Sequence, residues 1–371
     1  FDPILSSDGT VACASCHAPD KGFSDASKTS KGIRGQIGGM NAPTVMNSAF
    51  NRFQFWDGRA VSLEHQAQGP VGNPIEMFDG SPEDAWHQAI KRIRGNPAYQ
   101  GLFEAEFGHP ATRDAAAKAI ATYERTVLVG NSIHDRAELA ARARAEEEES
   151  TKLDPVAKDY EKVLKEAVAA GDTHALAALG LGAKPDAAAL SAAAASIANG
   201  RALFFGKARC NSCHVGETFT DHTFHNLGVG AVDGKLGPGQ EGRYAALPLG
   251  AKDPSMYGAF KTPPLRGLLA SQPYMHDGSE RTLEDVIEFY DRGGNPNPYL
   301  DPKMRDTDAE KAYLAAQAGG PEYKGPKPAL FTSGGRPIIP KKLELTPQEK
   351  KDLVNFLRAL EGDPIDAVLK P

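Results

Sequence analysis

This 371-residue chain predicts a mainly α fold of two helical halves joined by long glycine- and proline-rich loops. Three observations predict it. Each half ends on an amphipathic helical pattern, strand-like runs are few and short, and one five-residue motif opens each half. In the first half, residues 113–128 (RDAAAKAIATYERTVL) place Ala116, Ile120, Tyr123 and Val127 at helical spacing. In the second, residues 346–360 (TPQEKKDLVNFLRAL) begin with Thr346 as N-cap, Pro347 in the first turn and Glu349 in capping-box position. Leu353, Phe356, Leu357 and Leu360 form its apolar stripe, and Gly362 is expected to end it. The runs GIRGQIGGMNAP, GGNPNP and 319–340 read as long loops.

The repeated motif is C-x-x-C-H: Cys13, Cys16 and His17, then Cys210, Cys213 and His214. These are all four cysteines of the chain. Two disulfides would leave the histidines without a reason. One tetrahedral zinc ion fits the adjacent Cys16 and His17 poorly, and a thioredoxin-like pair needs a βαβ setting that the sequence lacks. Covalent haem attachment accounts for every residue: two thiols for two vinyl groups, and an imidazole for the iron. Zinc and redox pairs remain the competing readings. Haems of this type are attached outside the cytoplasm, which predicts a periplasmic or similar compartment.

A haem motif early and a packing helix late is the arrangement of a small cytochrome c-like domain, and it occurs twice. The predicted division is 1–133 for an N-terminal domain, 134–198 for an Ala/Glu-rich helical insertion and linker, and 199–371 for a C-terminal domain. Within the insertion Tyr160, Val163, Leu164, Ala167 and Val168 follow helical spacing, and a solvated helix is expected. Net charge is −6, from 42 Lys and Arg against 48 Asp and Glu, with no dense basic block. That argues against nucleic acid as a partner. No run of ~18 apolar residues is present, so no transmembrane helix is expected. The abrupt opening at Phe1 beside a motif leads us to expect a mature or trimmed chain whose export signal has been removed.

The two motifs, with MNAPTVMNSAF, FWDGRA, LEHQAQGP and NPIEM in the first half and FKTPPLRG and QPYMHDGS in the second, resemble the bacterial diheme cytochrome c peroxidase superfamily, and its MauG-like branch most. The likeness spans nearly all the chain except the insertion. It implies that the N-terminal haem is the peroxide site, with His17 as proximal ligand. It places Gln66 and Glu76 in the distal pocket, with Pro70 between them. Splitting a peroxide bond requires a proton to move between oxygens, and a carboxylate in an apolar pocket can carry it. The bland alternative for Glu76 is a helix-start or surface carboxylate. Many members carry a mobile histidine before the NAP motif. The loop KTSKGIRGQIGGMNAP has none, which implies a haem open to peroxide without prior reduction. Met40 and His65 are rival distal ligands, His65 being expected at the surface. Trp56 matches a tryptophan between the haems that relays charge, whereas Trp86 reads as packing.

The second haem takes His214 and, by the same resemblance, Tyr290 of TLEDVIEFYDRGG on its other face. Cytochrome-fed peroxidases usually have methionine there, and Met275 is the competing ligand. Methionine raises a haem potential, whereas tyrosine favours high-valent iron. His225 and His276 are expected to form hydrogen bonds near the haem edge or the ligand loops. The family also implies a calcium ion on Asn41, Ser271 and Pro273. One departure is Ala208, where MauG itself has a tryptophan leading to its protein substrate. The expected function is reduction of hydrogen peroxide at an open N-terminal haem, the second haem sharing the oxidising equivalents in a bis-ferryl-type state. Electrons would return from a small redox protein, a small reductant or an oxidisable protein residue. The alternatives are an ordinary diheme cytochrome c peroxidase fed by a small c-type cytochrome, and a non-enzymatic diheme electron carrier.

Overall fold

Helices dominate both compact units of the computed structural model, which describes residues 1–370. Unit 1 comprises Phe1–Leu128, the nonapeptide Ala270–Gly278 and the tail from Ile365. Unit 2 comprises Val129–Leu269 and Ser279–Pro364. The units therefore do not follow chain order as the division at 133 and 198 does.

In unit 1 the helices are α1 (Leu63–Val71), α2 (Pro82–Gly95), α3 (Leu102–Phe107) and α4 (Arg113–Thr126). Thr112 caps α4 by accepting a hydrogen bond from the Ala115 N–H at 3.2 Å. The helix ends two residues before the predicted 128, because Val127 leaves helical backbone angles. Its buried face is Ala115, Ala116, Ala117 and Ala121, small enough for close packing on α1. Ile33, Val71, Met77, Trp86 and Ile93 form the core beside it. Trp86 is packing, with its Nε1–H donating to Gln68 O at 3.1 Å.

Loops position the rest of unit 1. Gly32 has no room for a side chain: a Cβ there would overlap Ile75 O and lie 2.7 Å from Glu76 O. Ile33 N–H also donates to Glu76 O at 3.0 Å, so the 30–40 loop is pinned to NPIEM. The nonapeptide joins through Asn41 N–H, which donates to His276 O at 2.8 Å.

Unit 2 holds α5 (Ile133–Glu147), α6 (Ala157–Ala170), α7 (Thr173–Ala178), α8 (Ala187–Phe205), α9 (Arg243–Ala246), α10 (Leu283–Asp291), α11 (Thr307–Gln317) and α12 (Pro347–Arg358). Helix α8 is its spine, packed on α12 and α6. Strands are limited to three two-stranded antiparallel ladders among the described residues. These pair β1 (Phe224–His225) with β4 (Phe260–Lys261), β2 (Ala231–Val232) with β3 (Lys235–Leu236), and β5 (Leu330–Phe331) with β6 (Pro337–Ile338).

The capping box of α12 forms as its sequence predicts. Thr346 Oγ1 accepts from Glu349 N–H at 3.2 Å, and Glu349 Oε2 accepts from Thr346 N–H at 2.7 Å. Gly362 does not end this helix. The C-cap is Ala359, and Gly362 instead allows a close approach, since a Cβ there would lie 2.8 Å from Gly130 N. The Ala/Glu-rich segment also differs from a solvated insertion. Helix α6 buries Tyr160, Val163, Leu164 and Ala167 against α5 and α8. The physical reason is that α6 carries a full apolar face, which α5 and α8 cover. By length and composition α8 could cross a bilayer, but it buries Leu190, Ala194, Ile197, Gly200 and Phe204 inside unit 2.

Candidate active site

The two C-x-x-C-H turns have the same local geometry. His17 N–H donates to Cys13 O and His214 N–H to Cys210 O, both at 2.9 Å. The four thiols are free, so no disulfide competes for them. His17 Nδ1 lies 3.2 Å from Phe23 O, and His214 Nδ1 lies 2.8 Å from Phe219 O. A carbonyl only accepts, so Nδ1 carries the proton in each ring and Nε2 presents its lone pair. Burial holds both imidazoles below their ordinary pKa, His214 at about 4, which keeps them neutral. Neutral imidazole with an oriented ring is what an iron ligand requires. The donor set therefore fits a haem at each turn.

In the unit that contains His17, α1 carries Gln66 and Pro70, both half-buried, while His65 is exposed. Ser62 sets this register by accepting from His65 N–H at 3.1 Å. Proline in the last turn of α1 turns the chain into NPIEM. There Asn73 Nδ2 donates to Glu76 Oε1 at 2.6 Å. Burial pushes the Glu76 carboxyl above its ordinary pKa, with Arg59 and Asn73 opposing. Its charge is also felt at Cys16. Arg59 is itself occupied, with Nη1 3.0 Å from both Asp57 oxygens and its guanidinium 3.5 Å from the Phe55 ring centroid. Asn73 was not singled out from sequence. The Asn-Pro turn in NPIEM is the signal that points to it.

Trp56 Nε1–H donates to Asn41 O at 2.9 Å, and its ring meets His276 edge-on at 6.3 Å. Asn41 is buried, and its Nδ2 donates to Ser27 O at 2.8 Å. Ser271, Pro273 and Met275 lie on the nonapeptide of this same unit.

Tyr290 lies in unit 2, near the end of α10. Thr282 and Asp285 form the capping box that starts this helix, and α12 packs on it. The next residue, Asp291, is anchored by Lys350 Nζ at 2.7 Å and by Leu345 N–H at 2.9 Å. Burial raises the Tyr290 phenol well above its ordinary pKa, and the sulfurs of Cys213 and Cys210 are close enough to add to the rise. A ligating phenolate would need a cation to overcome that rise. Beside Cys213, His225 Nδ1 lies 2.7 Å from Asp301 Oδ2 and Nε2 lies 2.8 Å from Asp221 Oδ2. Burial alone would lower its pKa, but the carboxylates and Cys213 raise it to about 10. That residue is therefore a charged brace.

Two helical units, each with a C-x-x-C-H turn and an oriented neutral histidine, define a class of protein built for two haems. The chain belongs to the di-haem cytochrome c peroxidase family, and it is a peroxidase. The model of that family matches residues 1–143. The methylamine utilization protein MauG of Methylorubrum extorquens is 31% identical over 98% of this chain and 76% of its own. The cytochrome-c peroxidase IdrP1 of a Pseudomonas species is 29% identical over 97% and 78%. A solved MauG-like protein associated with microbial copper homeostasis superposes with a TM-score of 0.67 at 25% identity, covering 100% of this chain and 89% of that one.

Proposed function

We propose a periplasmic peroxidase of two cytochrome c-like domains that reduces hydrogen peroxide at the N-terminal site and spreads the oxidising equivalents over two covalent c-type haems. Cys13, Cys16 and His17 would hold the first haem, and Cys210, Cys213 and His214 the second, with Tyr290 as a further ligand. When bound, the haems supply iron that accepts peroxide and takes up its two oxidising equivalents. The chain's own part is proton handling and positioning. Glu76, steadied at Oε1 by Asn73, receives the peroxide proton and returns it to the departing oxygen. Gln66 orients the incoming molecule from α1, and Pro70 shapes the turn between them. Trp56 relays charge, its indole fixed by Asn41 O. Asn41, Ser271 and Pro273 would offer oxygens to a calcium ion. The electron donor is a small redox protein, a small reductant or an oxidisable residue.

The observation that carries this reading is Glu76: a carboxyl raised by burial, held by Asn73, in the unit that contains His17. A conventional cytochrome-fed peroxidase is the second reading, favoured by the likeness to IdrP1. EPR of the diferric holoprotein followed by peroxide addition separates them. The proposal expects a high-spin signal and rapid reaction without prior reduction. Reaction only after partial reduction would favour the conventional enzyme. Two low-spin signals and no reaction would mean an electron carrier.

A second expectation concerns Tyr290. Tyr290→Met should raise the potential of the second haem by a sizeable share of the ~0.8 V range over which axial ligands act. Redox titration reads it. Unchanged potential and spectra would remove Tyr290 as a ligand.

A further inference from the structure

A hydrogen-bonded pair outside the proposed haem ligands is buried in unit 2. Tyr160 on α6 is 0% exposed and His134 on α5 is 1% exposed. The Tyr160 hydroxyl lies 2.8 Å from His134 Nδ1, and the rings stack 18° from parallel. His134 Nε2 lies 3.6 Å from Glu138 Oε1.

Aromatic rings run without a break from this pair to His214. The His134 ring is 5.1 Å from Phe356, Phe356 is 5.2 Å from Phe204, and Phe204 is 6.5 Å from the His214 ring. A second route is shorter. His134 is 5.9 Å from the ring of Phe219, whose carbonyl accepts the His214 Nδ1–H.

We propose that Tyr160 and His134 form a one-electron redox site that donates to the haem held by His214. The proposal rests on the peroxidase reading, which supplies the oxidant. One oxidising equivalent from peroxide withdraws one electron from Tyr160. The phenolic O–H bond breaks, and its proton passes along the 2.8 Å hydrogen bond to His134 Nδ1. Tyr160 becomes a neutral radical, and His134 becomes an imidazolium whose Nε2–H faces the Glu138 carboxylate. An electron from the donor, with return of the proton, restores the pair.

The surroundings suit this step. Burial raises the Tyr160 pKa, so its proton cannot leave to solvent ahead of the electron. It needs a base within hydrogen-bond reach. Burial lowers His134 to about 3, so that base is unprotonated at neutral pH. A purely structural hydrogen bond would need neither the aromatic path nor a carboxylate behind the imidazole.

The test is freeze-quench EPR of the holoprotein after one equivalent of hydrogen peroxide, with optical spectra in parallel. Wild type should give an organic radical whose hyperfine pattern narrows with ring-deuterated tyrosine. Tyr160→Phe should lose that signal, and the oxidised haem spectrum should persist longer. His134→Phe keeps an aromatic ring but removes the base. It should also lose the signal, and resting optical spectra that match wild type in both variants exclude a folding defect. An undiminished tyrosine radical in Tyr160→Phe would overturn the proposal. So would a haem spectrum that responds to peroxide with no tyrosine radical in wild type. A haem spectrum that never responds would overturn the peroxidase reading and this site with it.

Discussion

Replacing Glu76 with glutamine is expected to slow peroxide turnover by about 10²- to 10⁴-fold, the range over which a positioned acid–base group acts. Glutamine keeps the size of the side chain and can still meet Asn73, but it cannot take up a proton. Stopped-flow mixing with peroxide reads the effect. The pH profile adds a sharper signature. Glu76 must be ionised to receive the proton, and burial raises its pKa. The wild-type rate should therefore climb with pH through a value above the ordinary carboxylate range. Glu76→Gln should lack that limb. Stability should move the other way. A carboxyl whose folded pKa is raised contributes stability that is full below its unfolded pKa and lost as pH rises through the folded one. The variant should thus be at least as stable as wild type at pH 7. Wild-type turnover in Glu76→Gln would exclude the carboxyl from the reaction.

The second large effect is expected at Gly200. Helix α8 crosses α12 there, and a Cβ would overlap Asp352 O and lie 2.8 Å from Phe356 Cβ. Alanine is favoured over glycine in a helix by about 1 kcal/mol. Overpacking against backbone typically costs ~1–3 kcal/mol, and the rigid carbonyl puts this site at the upper end. Gly200→Ala should therefore destabilise unit 2 by roughly 2 kcal/mol net, seen as a lower calorimetric midpoint. Gly95, also helical, has nothing within 4 Å of its would-be Cβ. Gly95→Ala should be neutral or stabilising. Equal behaviour of the two variants would mean that α8 and α12 have room to separate. Because α8 runs into the turn before Cys210, the Gly200 variant should also perturb the second haem spectrum.

What the sequence made legible was local. Thr346, Pro347 and Glu349 lie within one turn, so the start of α12 could be read directly. The two C-x-x-C-H turns also carry their geometry in five residues. The resemblance named Glu76 and Tyr290, and the structure places each in the same unit as one of these turns. What escaped was set by distance along the chain. Tyr160 and His134 are 26 residues apart, and His225 and Asp301 are 76 apart. No spacing rule joins either pair. The Ala/Glu-rich segment looked solvated because alanine carries little hydropathy signal. Yet α6 buries Tyr160 and three apolar neighbours against α5 and α8. Gly362 looked like a helix stop because glycine often serves as one, whereas close approach of another backbone strand was the actual need.

The nonapeptide Ala270–Gly278 has a consequence for how the gene can be dissected. It belongs to unit 1 but is encoded more than 140 residues after the rest of that unit's main stretch, between two parts of unit 2. No single cut therefore yields a complete N-terminal module. A fragment ending near 128 would lack the backbone acceptor for Asn41 N–H and the ring beside Trp56. Chimaeras that exchange the first unit between relatives would have to carry this short stretch along.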